Sequence, residues 1–152
     1  MSTETMAPRT SRDMQTYQGS CHCRRVTFEL RANLDYVVDC NCSLCRRVGA
    51  LWHGASKSNL RIVTGEGDLV LYEFNTKTAK HYSCNYCGIH PFIHPRIDPT
   101  GWAVNVRCID GVDLSAIPIL PFDGENWEAA VTAFMKPAVS GISADEPAGG
   151  VR

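Results

Sequence analysis

No stretch of the 152 residues approaches the ~18 consecutive apolar residues that a membrane-spanning helix needs. The N-terminus, MSTETMAPRTSRDMQ, lacks the apolar segment of a secretory signal. Neither sign of charge is in excess: fifteen Lys and Arg stand against sixteen Asp and Glu, for a formal charge of −1. That balance, with no clustered run of Lys and Arg, argues against a nucleic-acid binder. There is no internal repeat, and helical periodicity is scarce. The length suits one domain with a real core and leaves no room for a second of ordinary size. These absences point to a cytoplasmic chain, where thiols stay reduced and structural disulfides are rare.

What the sequence does have is cysteine. Eight are present, at positions 21, 23, 40, 42, 45, 84, 87 and 108, and seven fall in tight clusters: CHC, CNCSLC and CNYC. Cysteines one residue apart on an extended chain point to opposite faces and pair with each other only under strain. Clustered thiolates are what a soft divalent metal requires, so spacing and compartment together favour metal over disulfides. Cys84-Asn85-Tyr86-Cys87-Gly88 has zinc-knuckle spacing, and the glycine lets backbone amides approach the sulfurs. It supplies two ligands and needs two more, which Cys21 and Cys23 can give. Such a four-thiolate site is closed and is expected to be structural.

Cys40, Cys42 and Cys45 place three thiols within six residues. Three protein ligands leave one tetrahedral position open, as in catalytic zinc sites. The alternative is a fourth ligand, from Cys108 or from His53, His81, His90 or His94. Cys108 lies in phase with Val104 and Val106 and reads as a small core residue. The open site is the favoured reading. Arg46 and Arg47 follow directly, either as a solvated pair or, with Arg46 the nearer, as a contact for an anionic substrate. His53 and His94 are the histidines considered as proton donors.

The apolar pattern has period two through most of the chain. Strands are expected at 26–31, 36–38, 60–63, 69–74, 80–83, 92–93 and 102–109, with 60–63 and 69–74 joined by a Gly-rich turn as a hairpin and 92–93 edge-like between prolines. Helix is expected only at 125–135, capped by Asp123 or Gly124, with Trp127, Val131 and Phe134 on its apolar face. Residues 1–16 read as a disordered leader, 17–135 as the zinc-binding domain and 136–152, rich in Pro, Gly, Ser and Ala, as a flexible tail. The class is mainly β with a short C-terminal helix.

Gly19-Ser20-Cys21-His22-Cys23, Cys40-Asn41-Cys42-Ser43-Leu44-Cys45-Arg46, Cys84-Asn85-Tyr86-Cys87-Gly88, Asn105-Val106-Arg107-Cys108-Ile109-Asp110 and Phe122-Asp123-Gly124-Glu125-Asn126-Trp127-Glu128 together resemble the glutathione-dependent formaldehyde-activating enzyme / centromere-protein-V family. The resemblance implies an Mss4-like fold of coiled antiparallel β-sheets. It implies two zinc ions per chain: a structural one at Cys21, Cys23, Cys84 and Cys87, and a catalytic one at Cys40, Cys42 and Cys45. It implies a carbon–sulfur lyase that reversibly joins formaldehyde and glutathione as S-(hydroxymethyl)glutathione, with a glutathione-like thiol and an aldehyde as partners. After Gly88 the sequence Ile89-His90-Pro91-Phe92 is closer to the centromere-protein-V-like branch. The rival reading is therefore a non-catalytic zinc module that binds a protein or nucleic acid. A metal or redox buffer without substrate is a third.

Overall fold

The structure, a computed structural model, describes residues 12–135. Two sheets carry the fold. The smaller is antiparallel, with β1 (Gln15–Ser20), β2 (Thr27–Ala32) and β5 (Leu60–Thr64) in the order β1-β2-β5. The larger has seven strands. In chain order these are β3 (Val37–Cys40), β4 (Trp52–Ala55), β6 (Leu69–Tyr72), β7 (Lys80–Cys84), β8 (Phe92–His94), β9 (Trp102–Asn105) and β10 (Ile119–Phe122). Their spatial order is β10-β3-β4-β9-β8-β7-β6. All its pairs are antiparallel except β10 with β3, which is parallel. Among the described residues, helix is confined to short 3-10 turns, α1 (Cys45–Val48), where the sequence had suggested none, and α2 (Trp127–Met135).

The core forms where the two sheets face each other. Period-two alternation in β2 buries Phe28, Leu30 and Ala32 while Arg31 faces solvent. Phe28 meets Phe92 of the large sheet edge to face, ring centroids 5.6 Å apart. Gly19 of β1 is needed there, because a Cβ would run into the Phe28 ring. The opposite face of the large sheet buries a second, smaller cluster of Trp52, Ile93 and Ala103 with Cys45.

Several sequence expectations are corrected. β5 and β6 do not form a hairpin: β5 pairs with β2 and β6 with β7, so the chain changes sheets between them. Gly65, at φ +81°, lies so close to the Arg25 carbonyl that a Cβ could not fit, and the 3-10 turn Glu66–Asp68 redirects the chain. β8 is interior, lying between β7 and β9. Pro91 and Pro95 fall just outside its three residues, so their missing N–H groups interrupt no ladder.

The strand expected at 102–109 ends at Asn105. Its Oδ1 accepts the Arg107 N–H at 3.2 Å and turns the chain into the 3-10 segment Val106–Cys108. Cys108 is therefore out of the strand's phase, although it still packs against the main core. The helix begins as the 3-10 turn Gly124–Asn126 and becomes α-helical at Trp127. β1 starts at Gln15, two residues before the domain boundary expected at 17. The expected tail lies outside the described residues.

Candidate metal centre and cavity

Two groups of thiols are brought together. Among the described residues, the Sγ atoms of Cys21, Cys23, Cys84 and Cys87 lie within 4.8 Å of one another, as do those of Cys40, Cys42 and Cys45. All eight cysteines are free of disulfides. Around a tetrahedral zinc ion with Zn–S near 2.3 Å, sulfurs are separated by about 3.8 Å. Cys21 and Cys23 are 3.6 Å apart, and Cys23 and Cys84 3.7 Å. The donor set and spacing of the four-thiol group therefore fit a soft divalent cation.

Two similar turns build that group. Cys84 N–H donates to Ile89 O at 2.9 Å, Gly88 (φ +77°) N–H to Cys84 O at 2.9 Å, and Tyr86 N–H to Cys84 Sγ at 3.4 Å. On the other side, Cys21 N–H donates to Val26 O at 3.0 Å, Arg24 (φ 65°) N–H to Cys21 O at 3.3 Å, and Val26 N–H to Cys21 Sγ at 3.4 Å. In each, a residue of positive φ lets backbone N–H groups turn toward sulfur. Cys21 and Cys84 are buried, and Cys23 and Cys87 half-buried.

The three-thiol group spans the end of β3, the following loop and the first residue of α1. Cys42 N–H donates to Cys40 Sγ at 3.5 Å and Cys45 N–H to Cys42 Sγ at 3.3 Å. Hydrogen bonds from Cys40 and then Cys45 hold the Cys42 thiol far below the ordinary thiol range. The hydrogen bond with Cys42 pushes Cys40 up to about 11, and those with Cys40 and Cys42 push Cys45 up as well. A bound divalent cation is what lets all three ionise.

No histidine, carboxylate or fourth thiol joins this trio among the described residues. It opens instead onto a cavity of about 510 Å³. Of the residues lining it, Cys45, Trp52, His81, Ile93 and Ala103 are buried and form the floor. Arg46, Glu125 and Arg96 stand around it. Arg46 and Glu125 are exposed and 3.9 Å apart, and the Arg96 guanidinium sits 3.8 Å from the Trp127 ring centroid. Gly124 lies against the thiols, where a Cβ would come within 2.6 Å of Cys40 Sγ and 2.8 Å of Cys42 Cβ.

The other expected residues separate. Arg46 lines the cavity, whereas Arg47 donates from Nη1 to Ser43 O at 2.7 Å. His53 is buried and its Nδ1–H donates to Tyr36 O at 2.8 Å. His94 donates from Nδ1 to Gly101 O at 2.7 Å and stacks on Trp102. Among the lining residues the histidine is His81, 5% exposed, with its imidazole pKa lowered by burial. Sequence reasoning weighed His81 only as a metal ligand and passed over Gly54, Trp52 and Arg96. No strand was expected at 52–55, and the face that carries the cavity is set by strand pairing, which no single segment shows.

The model of the family described as glutathione-dependent formaldehyde-activating enzyme matches residues 16–121. The chain belongs to this family. A crystal structure of a Rhodobacter sphaeroides protein is 39% identical, covering 68% of this chain and 99% of that one, with a TM-score of 0.62. Membership in the formaldehyde-activating enzyme family links the chain to glutathione and formaldehyde, the small molecules in the family's name. It also agrees with the mainly β architecture and with the two thiol groups. Among the described residues, no helix is long and apolar enough to cross a membrane.

Proposed function

We propose that the chain is a cytoplasmic, zinc-dependent carbon–sulfur lyase acting on a thiol adduct such as S-(hydroxymethyl)glutathione. The observation that carries this reading is the three-thiol group opening onto the cavity rather than onto a fourth protein ligand. Cys21, Cys23, Cys84 and Cys87 would hold a structural zinc, and Cys40, Cys42 and Cys45 a catalytic one. When bound at three thiolates, zinc lowers the pKa of a thiol that joins it and polarises a neighbouring oxygen.

The chain's own residues do the rest. Arg46 and Arg96 attract the carboxylates of an anionic thiol such as glutathione. The floor of Trp52, Ile93 and Ala103 excludes water from the reacting carbon. The His81 imidazole, kept neutral by its burial, accepts the hydroxyl proton and returns it to sulfur. In cleavage the C–S bond breaks with both electrons passing to sulfur, and the hydroxyl oxygen forms the aldehyde C=O. Addition is the reverse.

The test is turnover of S-(hydroxymethyl)glutathione by zinc-loaded protein, measured above the uncatalysed rate. Wild type should exceed the blank, and Cys42→Ser should not. His81→Gln should lower kcat by roughly 10²-fold or more while changing KM less. A fully zinc-loaded wild type with no rate above the blank would replace the lyase with a non-catalytic zinc module.

A further inference from the structure

A single cross-strand row runs from the exposed Gly54 onto the buried floor of the cavity. Gly54 of β4 pairs with Ala103 of β9, Ala103 with Ile93 of β8, and Ile93 with His81 of β7. Directly paired residues project from the same face of a sheet, and all four line the cavity. Trp52, two residues before Gly54 on the same strand, shares that face. The two smallest side chains of the row are neighbours. A Cβ built on Gly54 has nothing within 4 Å, and Ala103 is buried at 6% exposure. Gly54 is exposed, so the two small residues leave a hollow beside Trp52 and Ile93 that is open to the cavity.

The hollow does not suit a hydroxymethyl group or water. The cavity of about 510 Å³ also takes the thiol half of the adduct, and a hydroxymethyl group offers a single carbon and a hydroxyl, too little to cover the apolar surface of Trp52, Ile93 and Ala103. Water there would find few partners, since Trp52, Ile93 and Ala103 present carbon. Trp52 Nε1 is buried without a partner among the described residues. The charged side chains Arg46 and Glu125 are each 56% exposed and so belong to the mouth. An occupant with a charged thiol half at the mouth and an apolar half inside matches this division.

We infer that the Gly54–Ala103 hollow is a subsite for the carbon substituent of a bulky aldehyde. The substrate class is then the thiol hemithioacetal of a branched or aromatic aldehyde, R–S–CH(OH)–R′ with apolar R′, rather than the formaldehyde adduct. This rests on the lyase reading of the same site. The bookkeeping is unchanged: the C–S bond breaks, sulfur keeps the electron pair and gains the hydroxyl proton, and R′–CHO leaves without any redox step. Gly54 and Ala103 set which R′ fits.

The experiment has two arms, both on zinc-loaded protein. In the first, kcat/KM is measured for the glutathione hemithioacetals of phenylacetaldehyde and of formaldehyde, corrected for uncatalysed breakdown. The bulky adduct should be favoured by roughly tenfold or more, the scale on which an apolar pocket discriminates. Gly54→Val, with zinc content and circular dichroism as checks on folding, should lower that ratio by roughly tenfold or more. In the second, calorimetry compares S-benzylglutathione with S-methylglutathione. The benzyl compound should bind more tightly, and Gly54→Val should remove the difference. If the formaldehyde adduct is turned over but neither arm shows a preference for bulk, the inference falls and the lyase stands. If neither adduct is turned over yet the Gly54-dependent benzyl preference is present, the lyase falls and the apolar subsite stands. A preference for bulk that Gly54→Val leaves intact would overturn the assignment to this hollow.

Discussion

Asn41, between two thiols of the trio, is bonded through both ends of its amide to the segment that leads into α2. Its Nδ2 donates to Asp123 Oδ1 at 2.9 Å, and its Oδ1 accepts the Glu125 N–H at 3.2 Å. Asp123 Oδ2 in turn accepts from Asn126 Nδ2 at 2.9 Å. Hydrogen bonds from Asn126 and then Asn41 hold the Asp123 carboxyl below its usual range. The parallel pairing of β10 with β3 brings these segments side by side, Phe122 opposite Cys40. The shape of the thiol trio thus depends on residues some eighty positions away in sequence.

Two substitutions test that dependence. Asn41→Ala should leave the circular dichroism spectrum unchanged and lower retention of the second metal. Gly124→Ala should be more damaging to the trio, because the new Cβ meets Cys40 Sγ and Cys42 Cβ. It should yield protein with one metal per chain instead of two. Gly67→Ala, where a Cβ meets nothing within 4 Å, is the control and should keep both. Metal analysis after gel filtration reads the outcome, and full loading of the Gly124 variant would show that the thiols tolerate the contact.

Chelation should remove the two ions in sequence. The four-thiol group joins residues 21 and 87 through two turns packed on the main core, and metal in such a site contributes about 10–16 kcal/mol to folding. The trio has three thiols on one short segment and an open cavity beside it. Titration with a chelator, followed by zinc release and far-UV circular dichroism together, should show one ion lost with the fold retained and the second lost with unfolding. Loss of both ions in one step with the structure would contradict this division of roles.

Cys108 should act as a packed thiol. Burial, with smaller contributions from Cys21 and Cys87, raises it from an ordinary 9.0 to about 12. Because the folded state favours the neutral form, its contribution to stability is fully present below pH 9.0 and is lost as the pH rises through about 12. Cys108 should therefore resist iodoacetamide at pH 8 in zinc-loaded protein. Cys108→Ala should keep full zinc stoichiometry and cost on the order of 1 kcal/mol. A variant one zinc short would make Cys108 a ligand.

Arg46→Ala should weaken a carboxylate-bearing thiol more than a neutral thiol of similar size. Arg46 and Glu125 are both exposed and 3.9 Å apart, a pair that adds little to stability. The melting temperature should stay nearly constant while calorimetric affinity for glutathione falls by a few-fold, more at low salt than at high. Equal losses for charged and neutral thiols would assign Arg46 a role in shape rather than charge.

Which thiols gather was legible in the sequence within each cluster, because that spacing is local; that the 21/23 pair meets the 84/87 pair is a tertiary fact. Two thiols one or two residues apart can face one ion whatever the rest of the chain does, and both groups assemble as the spacing indicates. The strands expected at 26–31 and 60–63 appear as Thr27–Ala32 and Leu60–Thr64, and in the first of them the period-two alternation is written in consecutive residues. Only the tertiary structure decided that β5 and β6 belong to different sheets and that β10 runs parallel to β3. Alternation marks which residues face inward but not which strand lies alongside. The row Gly54, Ala103, Ile93 and His81 shows why the site was only half legible. Its members come from four strands spread over fifty residues, none remarkable in its own segment, and a hollow exists only where pairing register sets two small side chains together.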